Sequence, residues 1–251
     1  NVMIYTPELI KSTAPAVFAT SPSPKMSSRY EFVPTFEMID KFMNDGWNVT
    51  SAVQNGRGDH ARHMVRLRNS ELPQVGDTFP EIVLQNSHNG TSTFSVSAGL
   101  YRLVCSNGLS VPTALSESFR VRHMNFDQAE VRKITDDFVN KLPTIGKSVD
   151  RMMSKIVSEA EQVKYVQAAA EIRWDGKAPK SLRIEDILKP LRDGDKESNM
   201  WTTFNIVQEK FTRGGVSYQG PRRTTSLREI RNISKLNNVN TKLWELAESM
   251  C

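Results

Sequence analysis

PEIVLQNSHNGTSTFSVSAGLYRLVCSNGL, residues Pro80 to Leu109, is the stretch that decides the fold class of this 251-residue chain. Ile82 to Gln85 and Thr93 to Val96 read as strands on either side of Asn89-Gly90, a dipeptide that accepts the positive φ angles of a tight hairpin turn. Gly99 and Asn107-Gly108 then bracket Leu100 to Cys105, a short apolar run interrupted by Arg102, which suits another strand of the same sheet. The stretch therefore predicts a β-hairpin followed by a third strand.

Working outward, Thr20 to Ser28 (TSPSPKMSS) is rich in Ser and Pro, so residues 1–29 read as a short N-terminal segment and flexible linker. Pro34 stands at a helix start; Phe36, Ile39, Phe42 and Met43 recur at helical spacing, and Gly46 offers a C-terminal cap. Trp47 to Val53 and His63 to Leu67 read as strands joined by the polar loop Gln54 to Arg62, and Phe119 to His123 as one more. Residues 30–126 are thus expected to form a strand-rich α+β core.

From Asp127 the period changes to that of helices: Val131, Ile134, Phe138 and Leu142 form one stripe that ends at Pro143. Ile145 to Arg173 fits one long or broken helix with Met152, Ile156, Val163 and Val166 inward. Ile184 to Leu188, Met200 to Phe211 and Ser226 to Met250 fit further helices. The prediction is an α+β fold in which an antiparallel sheet in the N-terminal half packs with a mainly helical C-terminal half, residues 127–251, as one compact unit.

Apolar residues make up 38% and charged residues 24%, an ordinary composition for a soluble protein, and no apolar run approaches the span of a bilayer. Two cysteines, Cys105 and Cys251, leave no disulfide framework, which fits the reducing cytoplasm of a host cell. The net charge is +5, but Lys210 to Lys242 holds eight Lys or Arg against one acid, Glu229, a local balance of +7. Concentrated positive charge attracts polyanions, of which nucleic acid is the commonest.

Two groups of cations stand out. Arg62, Arg66 and Arg68 alternate with His63, Val65 and Leu67, so one strand would carry three guanidinium groups on one face; Arg120 and Arg122 repeat the pattern, and Arg57 lies in the loop before the first strand. In the tail, Arg213-Gly214-Gly215 and Gly220-Pro221-Arg222-Arg223 set close-approaching backbone beside cationic side chains, and Tyr218 between them has a face on which a base can stack. Arg228, Arg231 and Lys235 follow at helical spacing, a basic stripe opposite Leu227, Ile230 and Ile233. All of these are expected to contact nucleic acid.

Enzyme chemistry is weaker in the sequence. Cys105, His88, His123 and Asn107 supply the residue types of a cysteine nucleophile site, but Cys105 alternates with Leu103 and Tyr101 as a packed thiol does. His88 is expected to orient the hairpin by bonding to backbone. Asp59, His60 and His63 lack the spacing of a metal site, and GxxxxGK[ST] is absent, so neither a metal nor another cofactor is expected.

Five blocks carry a family resemblance: YEFVPT (Tyr30 to Thr35), HMVRLRN (His63 to Asn69), PEIVLQNSHNGTS (Pro80 to Ser92), GLYRLVCSNGL (Gly99 to Leu109) and MWTTFNIVQEKFTRGGVS (Met200 to Ser217). In that order they resemble the YfjQ/YafZ-type family of phage-, prophage- and plasmid-borne proteins of unknown function. Asn89 stands where NSHDG is common, and Tyr101 where Phe is usual. The resemblance brings no catalytic residues; it implies work on the DNA of mobile elements, or against a host defence. The layout is broadly similar to that of single-strand annealing proteins of the RecT/Redβ type. The expected function is therefore binding of single-stranded DNA, with strand annealing in recombination or replication. A homo-oligomer follows if the annealing analogy holds, and the alternative is a protein that inhibits a host defence or restriction component.

Overall fold

The computed structural model describes residues 3–102, 107–110, 128–220 and 222–251. The chain divides into two compact units: a sheet unit of Asn1–Tyr101 and Thr113–Leu142, and a helical unit of Arg102–Pro112 and Pro143–Cys251. The fold class is α+β, as the run of strand patterns followed by a run of helical patterns predicts.

In the sheet unit, helix α1 (Pro7–Thr13) starts where the Thr6 side chain caps the Leu9 N–H and is followed by a 3-10 turn, Pro15–Phe18. Helix α2 (Thr35–Met43) buries Met38, Ile39 and Phe42, and Gly46 beyond it takes the left-handed φ of 85°. Strands β1 (Asn48–Asn55), β2 (Arg62–Arg68), β3 (Thr78–Asn86) and β4 (Ser95–Arg102) lie in the order β1-β2-β3-β4. β2 runs antiparallel to β1 and β3, with His63 opposite Asn86 and Leu67 opposite Ile82. The N-terminal segment is docked on the sheet unit. Ile10, Ala14, Ala16 and Val17 are buried, Tyr5 N–H donates to Val49 O, and Ala16 N–H donates to Gln54 Oε1. Apolar side chains of this segment, which precedes the Thr20 to Ser28 stretch read as a linker, thus fasten it to the sheet.

The hairpin is also looser than Asn89-Gly90 implied. β3 and β4 are joined by eight residues, Ser87 to Phe94, because Ser87 Oγ both receives the Ser92 N–H (2.8 Å) and donates to Ser92 O (2.9 Å), closing a wider loop. Gly90 has φ 73°, and Asn89 Oδ1 accepts from Thr91, an Asx turn instead of a two-residue turn.

Helix α3 (Gln128–Ser154) continues through Pro143, where a stop was expected. A proline removes one helical hydrogen bond and costs about 3 kcal/mol. Ile134, Phe138 and Leu142 before it and Ile145, Val149 and Met152 after it are all buried at helical spacing, and that burial offsets the cost. In the helical unit, α4 (Glu159–Arg173) begins at a capping box made by Ser158 and Glu161, so the run read as one long or broken helix is broken there. Ile156 falls in that break and is 71% exposed, not inward as its spacing suggested. After α5 (Ile184–Leu188) comes α6 (Met200–Arg213), in which every residue from Met200 to Thr212 is buried. β5 (Asn107–Ser110) lies against α7 (Ile233–Ser249), and Trp244 of α7 meets Trp201 and Phe204 of α6 edge-on at 6.0 and 5.7 Å. The hairpin of β6 (Ser217–Gln219) and β7 (Thr224–Ser226) connects α6 to α7.

Candidate nucleic-acid interface

The predicted cations separate into two groups with different surroundings. On β2, Arg66 and Arg68 do not face solvent: they are 6% and 7% exposed, and each donates at 2.9 Å to the fully buried Glu81 of β3. The Arg68 guanidinium also lies 4.3 Å from the Tyr101 ring centroid and 5.0 Å from that of Phe79. The expectation of a phosphate-tracking face on this strand is corrected, because one carboxylate and two aromatic rings occupy both guanidinium groups. Arg62 is half-buried, whereas Arg57 is exposed in the β1–β2 loop. Arg120 and Arg122, like Cys105 and His123, lie outside the described residues, as does the Phe119 to His123 strand.

The buried histidines have structural work. His63 Nδ1 donates to Ala61 O (2.9 Å) and Nε2 accepts from Thr35 Oγ1 (2.8 Å), whose oxygen in turn accepts from Asn86 Nδ2 (2.9 Å). His88 Nε2 donates to Ala16 O at 3.0 Å, and its ring lies against Phe32 and His63. Burial lowers the pKa of each imidazole to about 4, so both are neutral at pH 7. A fully buried ring bonded to backbone presents no base to a substrate, and His88 positions the hairpin loop.

The tail cations lie together in the helical unit. The Gly220 N–H donates to Arg223 O (2.9 Å), so Arg222 and Arg223 sit at the turn of the β6–β7 hairpin, both exposed. Arg213 at the end of α6, Arg228 and Arg231 are exposed as well; Arg231 lies 3.9 Å from Glu229, a wide pair in solvent of little strength. Lys235 is bound to Asp175 at 2.9 Å, and Lys210 is turned inward, donating to the carbonyls of Asp186 and Lys189. Arg222, Arg223 and Arg228 have no carboxylate within 4 Å among the described residues.

One expectation about this region is revised. Arg228 and Arg231 are not on a helix: Leu227 N–H bonds Val216 O, Ile230 N–H bonds Thr212 O, and α7 begins only after the Asn232 cap. Leu227 and Ile230 are buried in the connector, and Ile233 is buried at the first residue of α7. The close-approaching backbone expected at Gly214-Gly215 is found. A Cβ on Gly214 would stand 2.3 Å from Leu227 O, and Gly215 N–H donates to that same oxygen, so the glycines allow the connector to dock on the end of α6.

Arg173 and Trp174, which the charge pattern did not single out, organise the base of the hairpin. Arg173 Nε donates to Phe211 O (2.8 Å) and Nη2 to Arg228 O (3.1 Å). Trp174 stands edge-on to Phe211 and to Tyr218, each at 5.6 Å between centroids. A helix-stop signal was available in the sequence, because Trp174-Asp175-Gly176 follows a helical run.

Fold and site together define an α+β protein with a cation-rich β-hairpin over a small aromatic cluster in its helical unit. The chain belongs to the DUF932 family, a domain of unknown function whose model matches residues 24–244. It is 31% identical over 251 residues to UPF0380 protein YafZ and 30% identical to UPF0380 protein YfjQ, both of Escherichia coli (strain K12). Each comparison covers 98% of this chain and 91% of the relative. The resemblance of the five motif blocks to the YfjQ/YafZ-type family is thereby borne out. No solved structure matches the chain.

Proposed function

We propose that the chain is a DNA-binding protein that serves recombination or replication of mobile DNA, and that it grips phosphates through the β6–β7 hairpin and its surroundings. The observation that supports this reading is the grouping of exposed arginines: Arg222 and Arg223 at one turn, with Arg213 and Arg228 at the two chain segments that the hairpin joins. Arginine forks match phosphate oxygens, and exposed cations on a turn lose little hydration before contact. With no nucleotide-driven step in the reading, the protein acts by binding, and annealing of two strands is the process such binding would assist.

The test is titration of a labelled oligonucleotide at low salt with the wild type and with Arg222→Ala/Arg223→Ala. The double variant should weaken binding of all sequences alike, by about tenfold or more, since phosphate contacts carry no sequence information. Wild-type protein that leaves the oligonucleotide free at micromolar concentration rejects the reading. If it instead retains one host protein from nuclease-treated lysate, inhibition of a host component takes its place.

A further inference from the structure

We infer that Tyr218, backed by Trp174, receives an unpaired base, so that the hairpin surface prefers single-stranded nucleic acid to duplex. This rests on the DNA-binding reading and deepens it by naming the form of the ligand.

Construction of the corner begins at the end of α4. Trp174 N–H still donates to Ala170 O, but Asp175 adopts φ 53° and Gly176 φ 80°, and Gly176 N–H returns to Glu171 O at 2.8 Å. A left-handed aspartate is strained backbone, and it holds the tryptophan at the helix end. The Arg173 clamp onto Phe211 O and Arg228 O then fixes α4 against the base of the hairpin. Tyr218 on β6, opposite Thr225, meets Trp174 at 90°, and both rings remain half-exposed. In contrast, Trp47, Trp201 and Trp244 are at most 1% exposed.

Charge complementarity selects the occupant. The Asp175 carboxylate, the nearest acid in sequence, is tied to Lys235 at 2.9 Å and so repels a phosphate less than it would alone. The same short hairpin that carries Tyr218 ends in Arg222 and Arg223, and Ser181 Oγ anchors it through Gln219 O at 2.8 Å. A flat ring beside cations accommodates any base by its π-face, provided that the base is free to leave its stack, which bases of a duplex are not. Electrostatics alone would favour the duplex, whose charge density is higher, so a preference for single strands reports the aromatic contact.

The experiment compares oligothymidylate, an abasic strand of equal length and a duplex of that length at one salt concentration, using the full chain. Wild type should bind oligothymidylate about tenfold tighter than the abasic strand, the size expected for one stacked base. Tyr218→Ala should remove that difference while Tyr218→Phe retains it. Because Trp174 alone of the tryptophans among the described residues is accessible, oligothymidylate should alter tryptophan emission in the wild type but not in Trp174→Phe, a readout that stands even if Tyr218→Ala fails to fold. Equal affinity for the abasic strand, or tighter binding of duplex, overturns the inference and leaves DNA binding intact. Failure to bind any of the three removes both.

Discussion

His88 illustrates what a single side chain in this protein is for. The sequence placed it in a turn and assigned it backbone bonding, and the structure agrees; its partner, Ala16, is 72 residues away in the short N-terminal segment, and no local pattern could name it. His63 is equally committed through Thr35 and Ala61. Both imidazoles have folded pKa values of about 4, below the unfolded value of 6.5, so between these values the unfolded chain binds more protons. Their contribution to stability is complete above pH 6.5 and disappears as pH falls towards 4. Each ring should cost about 2 kcal/mol at about pH 5 relative to pH 8, measured by urea unfolding. A stability unchanged over that range would show that the rings are not buried neutral.

At the scale of an element, β2 shows how far alternation can be read. His63, Val65 and Leu67 face the core as predicted, all fully buried. The period of two assigns faces, but whether the second face is covered depends on neighbours: β2 lies between β1 and β3, and Glu81, the one acid in the apolar run PEIVL, comes from β3 to meet Arg66 and Arg68. A buried carboxylate bonded to two guanidinium groups cannot be removed lightly. Glu81→Gln should destabilise the fold by about 3–5 kcal/mol, because it leaves two buried cations without a counter-charge. The folded fraction should keep its affinity for DNA. Arg222→Ala/Arg223→Ala should behave in the opposite way, with stability within about 0.5 kcal/mol of wild type and affinity reduced. Thermal melts paired with binding titrations separate the two roles, and a loss of DNA affinity in folded Glu81→Gln would return β2 to the binding surface. The same limit explains the connector before α7, where apolar residues three apart fit a helix or an extended chain tied down every third residue, and only the hydrogen bonds to Thr212 and Val216 decide.

For the molecule as a whole, net charge was legible but its availability was not. Of the eight cations between Lys210 and Lys242, Lys210 is spent on two carbonyls and Lys235 on Asp175, while Arg213, Arg222, Arg223, Arg228, Arg231 and Lys242 remain exposed. A sequence count cannot separate these sets, because the separation depends on which helix ends meet. The difference is measurable through counterion release. If all five arginines neutralise phosphates of a single strand, the slope of log K against log salt approaches about −3.5, at about −0.7 per contact. Arg222→Ala/Arg223→Ala should reduce its magnitude by about 1.4, and Arg57→Ala, an exposed cation of the sheet unit, should leave it unaltered. Affinity measured at several salt concentrations gives both values. A slope near zero in the wild type would mean that binding does not run through phosphates, and an equal fall for Arg57→Ala would mean that the contact surface extends beyond the helical unit.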